Sequence, residues 1–495
     1  MLKSRSFPFD PRRWFIIFFI FHLLAWTFVP WLVRCNLPLD SIEGATWGHQ
    51  LEWGYDKNPF MNGWLTALAT VLDHRSGLLI YFFSQLSIVS AFWVVWQLGK
   101  KILSPVYALV AVLLLEVIQY YNFHSIDFND NTLEIGLWAL TTYFFYQALQ
   151  TKNRYRHWIL TGVFAALGMM AKYYTGVLLT VMLLFMLFNA NGRKQFKSPA
   201  LYLGALIFIL ICLPHLFWLT QHQFITVEYV FERAAGAPRW TNHFFFPAQF
   251  MWQQFEVLLP CLIFFSLMLI GKRPIFVSKK ISLSAFNKRF LLFIGIGPFL
   301  ITLLLSLALS VKLRAGWGAP LMTLWTLLLL AWLQPVFTNA KLYRAIAMTF
   351  TIMILFLGSY TISLLYSKDT STANFPGREI ATYITNEWHA KYHTPLKYVA
   401  GSRWVAGNIE YYSPDHPAVF IEWNPSISPW INDADLRKQG GVFVWEASRN
   451  ELLPLDIKRQ YPNLKNFTIL EFDYKHNVYD LEPVRIGVAF LPPEK

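Results

Sequence analysis

Charge is scarce in this sequence. Lys, Arg, Asp and Glu together supply 14% of its 495 residues, against roughly a quarter in soluble domains. Apolar residues make up 55% and the mean hydropathy is +0.37. A soluble fold of this size has too little interior to hide so much apolar side chain, so lipid must cover the remainder. Acidic residues are scarcer than basic ones, 29 against 42, for a net charge of +13. This surplus does not build a nucleic-acid face, because the Lys and Arg lie in short runs between apolar stretches, as in cytoplasmic loops. No nucleic-acid partner is expected. Cysteine is nearly absent: Cys212 and Cys261 sit inside apolar runs and Cys35 has no obvious partner, which excludes a disulfide framework. Internal repeats and low-complexity segments are lacking too.

What is present is a series of apolar runs, each near the ~20 residues that cross a bilayer. They begin near Trp14, Leu79, Pro105, Leu133, Trp158, Thr175, Leu201, Ala248, Phe290, Ala319 and Ala345, about eleven transmembrane helices. Lys3, Arg5, Arg12 and Arg13 precede the first run, which ends at Arg34 without a small-residue cleavage site; it reads as a retained span and not a signal peptide. With the N-terminus inside, the inside loops hold Lys100 and Lys101; Lys152, Arg154 and Arg156; Arg193, Lys194 and Lys197; Lys272, Arg273, Lys279, Lys280, Lys288 and Arg289; Lys341 and Arg344. Outside loops hold far fewer, the expected asymmetry for a bacterial inner-membrane protein. An odd number of spans then leaves everything after Tyr366 outside.

Beyond Lys368 the apolar runs shorten to strand length and charge returns. Residues 378–392 read as a helix, and 396–400, 418–423, 442–445, 467–472 and 484–490 as strands. Asp433 and Asp435 open a helix that Gly440 and Gly441 close. The expected architecture is a polytopic α-helical domain over 1–367, with outer loops at 34–78 and 122–131, and an extracytoplasmic α/β domain over 368–495.

The outer loops carry the polar chemistry. In the first, Ile42, Ala45, Trp47 and Leu51 share a helical stripe, so this segment is expected to lie along the membrane surface. Asp40 stands at the exit of the first span, where a carboxylate is costly unless used or paired. Its competing reading is a helix cap, since Asp40 and Glu43 have capping-box spacing. The second loop packs His124, Asp127 and Asp130 among three Asn. One acid suits a turn; two exceed what a turn requires. His124 reads as a hydrogen-bonded loop residue before a metal ligand, and the carboxylates have room for a divalent ion without spacing that demands one.

Cations complete the outer set: Lys57, Lys172, Arg233, Arg239, Lys312 and Arg314. Lys172 lies between two apolar spans, where a cation is expensive, unless it is a snorkelling anchor. Acids and cations meeting on one membrane face suit a substrate with an anionic phosphate on a lipid tail. A carboxylate would deprotonate an acceptor hydroxyl while cations neutralise the departing phosphate. A transporter or lipid flippase would also show many spans and intramembrane charge, but it would place the charge near the midplane, in matched repeats.

Asp40 through Leu65 resembles the first-loop signature of the bacterial branch of the protein O-mannosyltransferase family. Its superfamily includes the lipid A aminoarabinose transferases and shares the fold called GT-C. The family pattern is an acidic pair, Trp-Gly-Tyr about a dozen residues later, then a basic residue with Pro-Pro before an apolar run ending in Trp-Leu. Asp40 matches the first acid and Trp53-Gly54-Tyr55 matches in place, while Ser41 replaces the second acid and Asn58-Pro59-Phe60 stands where basic-Pro-Pro is usual. Phe128 to Thr132 before Leu137-Trp138, Ala171-Lys172-Tyr173, residues 249–260, and Trp317 to Pro320 resemble the family in the same order. The resemblance implies inverting transfer of a sugar from a polyprenyl-phosphate donor, undecaprenyl-linked in bacteria, to a lipid A, glycan or protein acceptor, without an obligatory cofactor. It points to Asp40 as base or acceptor-orienting group. Beside it, Asp130, Glu43 and Asp127 are the further catalytic candidates, Lys57, Lys172, Lys312 and Arg314 the phosphate ligands, and Tyr55, His124, Tyr173 and Trp317 the substrate contacts.

Overall fold

The computed structural model describes residues 9–151, 154–234, 239–270, 281–366, 371–447, 453–462, 464 and 466–494. Lys3, Arg5, Lys152, Lys272, Arg273, Lys279, Lys280 and Lys368, read above as flanking or loop residues, lie outside them. The helical part contains α1 (Pro11–Val33), α2 (Leu39–Gln50), α3 (Met61–Leu72), α4 (Leu78–Ile102), α5 (Pro105–Leu115), α6 (Asp130–Gln150), α7 (Arg154–Ala171), α8 (Thr175–Phe188), α9 (Ala190–Gln195), α10 (Pro199–Gln221), α11 (Ile225–Ala234), α12 (Asn242–Leu269), α13 (Ala285–Leu309), α14 (Trp325–Leu333) and α15 (Asn339–Leu365). Among the described residues, six of these helices (α1, α4, α10, α12, α13 and α15) are long and apolar enough to cross a membrane. Two bent pairs raise this to at most eight: α5 with the 3-10 turns of Gln119–Ile126, bent by 87°, and Ala315–Met322 with α14, bent by 52°.

The chain is thus a multi-pass helical membrane protein, but the expected count of eleven is not met by length and composition. Each expected run does contain a helix. The shortfall of three has a physical cause: α8 spans 14 residues, α7 opens with Arg154, Arg156 and His157, and α6 carries Asp130 and Glu134 on a helix packed among its neighbours rather than on lipid.

Side-chain bonds show which helix ends share a face. Lys101 at the end of α4 donates to Gln147 near the end of α6 at 2.7 Å, Tyr146 donates to Asn287 at the start of α13 at 3.1 Å, and Tyr107 of α5 donates to the Pro335 carbonyl at 3.0 Å. Among the described basic residues, Lys100 and Lys101 end α4, Lys288 and Arg289 lie in the first turns of α13, and Lys341 and Arg344 in those of α15, all at this end; the polar loops before α2 and α6 lie at the other. Close helix contact rests on small residues, as at α7 and α10, where a Cβ on Gly162 would lie 2.1 Å from the Gly204 carbonyl.

One buried polar cluster ties three elements together. His22 of α1 and Glu116, at the break after α5, meet at 2.6 Å with both side chains fully buried. The other His22 nitrogen faces Gln85 of α4 at 3.2 Å, and Trp26 donates to Glu116 at 3.2 Å. Every polar atom here that lacks water has a protein partner instead, the condition for burying polar groups.

The remaining chain forms α16 (Gly377–Tyr392), β1 (Tyr398–Gly401), α17 (Arg403–Tyr412), β2 (Ala418–Ile421), α18 (Asp433–Gln439), β3 (Gly441–Glu446), α19 (Leu455–Gln460), β4 (Phe467–Phe472) and β5 (Val484–Leu491). The sheet order is β2-β1-β3-β5-β4, with β1 parallel to β2 and β3, and β5 antiparallel to β3 and β4. The two-residue period of a strand sends Val442 and Val444 into the layer with Ile380, Ile384 and Trp388 of α16. Phe443 and Trp445 enter the opposite layer with Leu436 and Ile457. Asn432, rather than Asp433, caps α18, and Gly440 closes it at φ +71°.

This domain docks on the helical part through α17. A Cβ on Gly407 would lie 2.8 Å from Ile42 of α2, so glycine lets the two helices touch. Arg75, before α4, donates to Glu410 at 2.9 Å, and the Tyr412 hydroxyl accepts from the Leu37 N–H at 3.1 Å. Consequently α2 is not a surface helix lying on lipid. Residues Ser41 to Gly48 are all buried, beneath α17 and against α3.

The Glu116 cluster gives a stability prediction. Glu116→Ala strands His22 and Trp26 without their acceptor and is expected to cost about 3–5 kcal/mol, the usual range for breaking a buried pair. Thermal unfolding in detergent checks this, with Glu116→Gln expected to lose clearly less.

Candidate active site

The first functional side chain is aimed by an unfinished helix. α2 begins after Pro38, which offers no side-chain cap, and its leading N–H groups need acceptors. Asp127, from the loop before α6, supplies them. It accepts from the backbone of Asp40 at 3.3 Å and of Ser41 at 3.0 Å, and from the Ser41 hydroxyl at 2.9 Å. Asp127 therefore acts as a cap brought from another loop, and it does not line the cavity described below. Capping by Asp40 itself, the competing reading of the Asp40–Glu43 spacing, is overturned. Asp40 is left free to face outward from the first turn, where Asn129 donates to it at 2.9 Å.

Asn129 has a second task, accepting the Thr132 N–H at 3.0 Å to cap α6. This places Asp130 and Asn131 at the mouth of the same helix. Both are taken by Lys172, at 2.8 Å and 2.6 Å respectively, and the ammonium also lies 5.5 Å from the Trp317 ring centre. Lys172 is thus held in a polar cluster and does not snorkel. Trp317 is placed by a tight passage: the Ala315 carbonyl accepts from Gln254 at 3.1 Å, and a Cβ on Gly318 would sit 1.8 Å from the Gln254 side chain.

On the opposite wall a turn presents Lys57. Tyr55 N–H donates to the Asn58 carbonyl at 2.9 Å, and Gly54 bridges to Pro59. Lys57 reaches Glu43 at 2.6 Å, and Glu43 also accepts from Arg403 of α17 at 3.0 Å. Arg403 forms a two-pronged pair with Asp56, one prong at 3.2 Å. The carboxylates at the core of the site are therefore each engaged, by amide, backbone, ammonium or guanidinium. Among the described residues no cluster of three or more His, Cys, Asp or Glu is set to hold a metal ion.

These walls enclose a cavity of about 480 Å³. It brings together eight of the sequence candidates: Asp40, Glu43, Asp130, Lys57, Lys172, Arg314, Tyr173 and Trp317. Sequence reasoning did not propose Asn129, Asn131, Tyr174 or Tyr229 as contacts, and it noted Arg233 only as an outer cation; all five line the cavity. The Asn pair in the second loop was the available signal.

Other candidates stand elsewhere. Tyr55 is 1% exposed, stacks on Trp47 at 5.0 Å and donates to its carbonyl at 2.7 Å, so it anchors the turn and lies off the cavity wall. His124 sits edge-on to Tyr120 at 5.2 Å, off the cavity wall. Lys312 is exposed and outside the lining, two residues before Arg314, which is in it. Asp56 and Arg403 were not candidates.

The electrostatics favour proton transfer at Asp40. Burial, together with the neighbouring carboxylates of Asp127, Glu43 and Asp130, pushes its carboxyl up to about 7. An ionisable group near neutrality, in a pocket that also holds Lys57, Lys172 and Arg314, can take a proton while its surroundings stabilise anionic charge.

Comparison with known proteins bears on the fold. The family model for dolichyl-phosphate-mannose-protein mannosyltransferase matches residues 57–218. The crystal structure of ArnT from Cupriavidus metallidurans in the apo state is 14% identical, covers 98% of this chain and 100% of its own, and superposes with a TM-score of 0.60. The same protein bound to undecaprenyl phosphate gives 13% identity, 97% and 99% coverage, and 0.59. No curated protein matches in sequence. The chain has the GT-C fold, as its resemblance to the O-mannosyltransferase superfamily implied.

The Asp127 cap gives the second prediction. Asp127→Ala removes an acceptor shared by two backbone N–H groups and should cost about 0.5–2 kcal/mol, read as a lowered unfolding temperature. Asp127→Asn, which still accepts, should cost little.

Proposed function

We propose that this chain transfers a sugar from a polyprenyl-phosphate carrier, undecaprenyl-linked in a bacterial inner membrane, to an envelope acceptor such as lipid A, a glycan or a protein. The observation that carries the proposal is the cavity that sets Asp40, near neutrality, among Lys57, Lys172 and Arg314. The undecaprenyl phosphate bound by a protein of the same fold supports the choice of carrier.

In this reading the acceptor hydroxyl lies against Asp40, which takes its proton as the oxygen attacks the anomeric carbon. The bond from that carbon to the carrier phosphate breaks, and the phosphate leaves with the electron pair, met by the three cations. A single in-line displacement inverts the anomeric configuration. Asn129 keeps Asp40 oriented, and Trp317 and Tyr173 supply flat surfaces of the kind that hold a sugar ring. No step needs a tightly bound metal, since the carboxylates and cations here already complete the proton and charge balance. Catalysis belongs to residues 1–367, and 368–495 form a domain outside the cytoplasm; the gathering of Lys100, Lys101, Lys288, Arg289, Lys341 and Arg344 at the opposite end supports this orientation.

The transporter reading has one feature in its favour, the buried His22–Glu116 pair beside the bent α5. That pair, however, is closed on all sides, and neither residue lines the 480 Å³ cavity.

Asp40→Asn is expected to lower the transfer rate about 10²–10⁴-fold, the range for a positioned base, with carrier affinity nearly unchanged. Wild-type rate should climb as pH rises through about 7, because the active form of Asp40 is the deprotonated one, and the variant should lose that rise. Lys172→Ala and Arg314→Ala should weaken carrier binding and turnover together, as phosphate contacts act in ground and transition states alike. Near-normal turnover by a folded Asp40→Asn protein would remove Asp40 from the mechanism.

A further inference from the structure

Lys57 faces a conflict that the site must resolve. To meet a carrier phosphate it has to leave Glu43, which it touches at 2.6 Å. Glu43 is only 10% exposed and Asp56 only 6%, so little water can replace a departing cation, and an unpaired carboxylate here is disfavoured. The charges joined by direct contact are two carboxylates, Glu43 and Asp56, and two cations, Lys57 and Arg403. Arg403 is the one that can stay. Its fork grips Asp56 with two N–H groups and reaches Glu43 with one at 3.0 Å, a geometry that a planar guanidinium supports and an ammonium does not. It comes from the first turn of α17, where Ser402 caps the helix by accepting the Val405 N–H at 3.1 Å. The packing of Gly407 on Ile42 fixes that helix against α2.

Building on the glycosyl-transfer reading above, we infer that Arg403, supplied by the C-terminal domain, is a positioning residue that keeps Glu43 and Asp56 neutralised and so frees Lys57 for the carrier phosphate. The domain outside the helices then completes the site instead of merely covering it. Arg403 touches neither the phosphate nor the sugar; it sets how tightly Glu43 retains Lys57. A chain without Arg403 has one cation, Lys57, for two carboxylates, and Lys57 should stay where it is.

The full-length purified protein is titrated with undecaprenyl phosphate, and its Lys57 amine is labelled with an acylating reagent and quantified by mass spectrometry. Arg403→Met should weaken undecaprenyl phosphate binding on the order of tenfold, a shift of the size of one charge-assisted contact, and should lower Lys57 labelling. Adding Glu43→Gln to Arg403→Met removes the competitor and should restore both. A purely structural interdomain tie predicts the reverse, with the second substitution compounding the first. Arg403→Lys, which preserves charge but not the fork, serves where Arg403→Met fails to fold and should fall between wild type and Met. Unchanged binding and labelling in Arg403→Met, or a double variant as weak as the single one, would overturn the inference. If the wild type binds no undecaprenyl phosphate, the donor reading fails, and the labelling pattern alone then decides the role of Arg403.

Discussion

A helix that starts inside a protein begins with N–H groups that water cannot reach, and something must accept from them. At α2 the acceptor is Asp127, which lies 86 residues further along the chain from Ser41. That bond does more than finish a helix. It locks the loop before α6 to the first turn of α2, and so fixes where Asp40, Asn129 and Asp130 stand relative to one another. With Asp127 occupied by backbone, Asp40 needs no capping role and turns to the cavity. Its neighbours then raise its proton affinity because they cannot move away. The chemistry proposed for Asp40 depends on a carboxylate that is spent on holding a helix end.

The same economy appears on the other wall. Tyr55 buries its ring against Trp47 and its hydroxyl on a carbonyl, and this rigid turn is what presents Lys57. Aromatic residues in a recognised motif are read readily as substrate contacts. Here one is a scaffold for the next residue but one.

Much of the architecture was legible from the chain. The short, unbroken apolar run from Val442 to Trp445 marks a strand covered on both faces, the longer apolar runs mark the helices, and the loop acids and cations mark one face. Three things were hidden, each for a physical reason. An apolar stripe such as Ile42, Ala45 and Trp47 reports that something covers the helix but not whether lipid or protein does, so α2 was expected at the membrane surface and lies under α17 instead. α17 itself escaped because its central Gly407, which reads as a helix weakener, is there for close contact with Ile42. Arg403 gave no local signal, since its partners Glu43 and Asp56 are 360 and 347 residues away. Spacing arguments reach a helical turn or a hairpin, and they do not reach across a chain.

That separation has a consequence in time. Glu43 and Asp56 leave the ribosome early, and their guanidinium partner follows 360 residues after the first of them. At about 5–20 residues per second this is a delay of roughly 20–70 s. Throughout that interval the nascent helices hold two carboxylates with Lys57 as their nearest cation, and α2 lacks the helix that roofs it. The site is assembled last from the part of the chain made last, so a protein still being synthesised carries its acids and its cations but not yet the arrangement that sets them against each other.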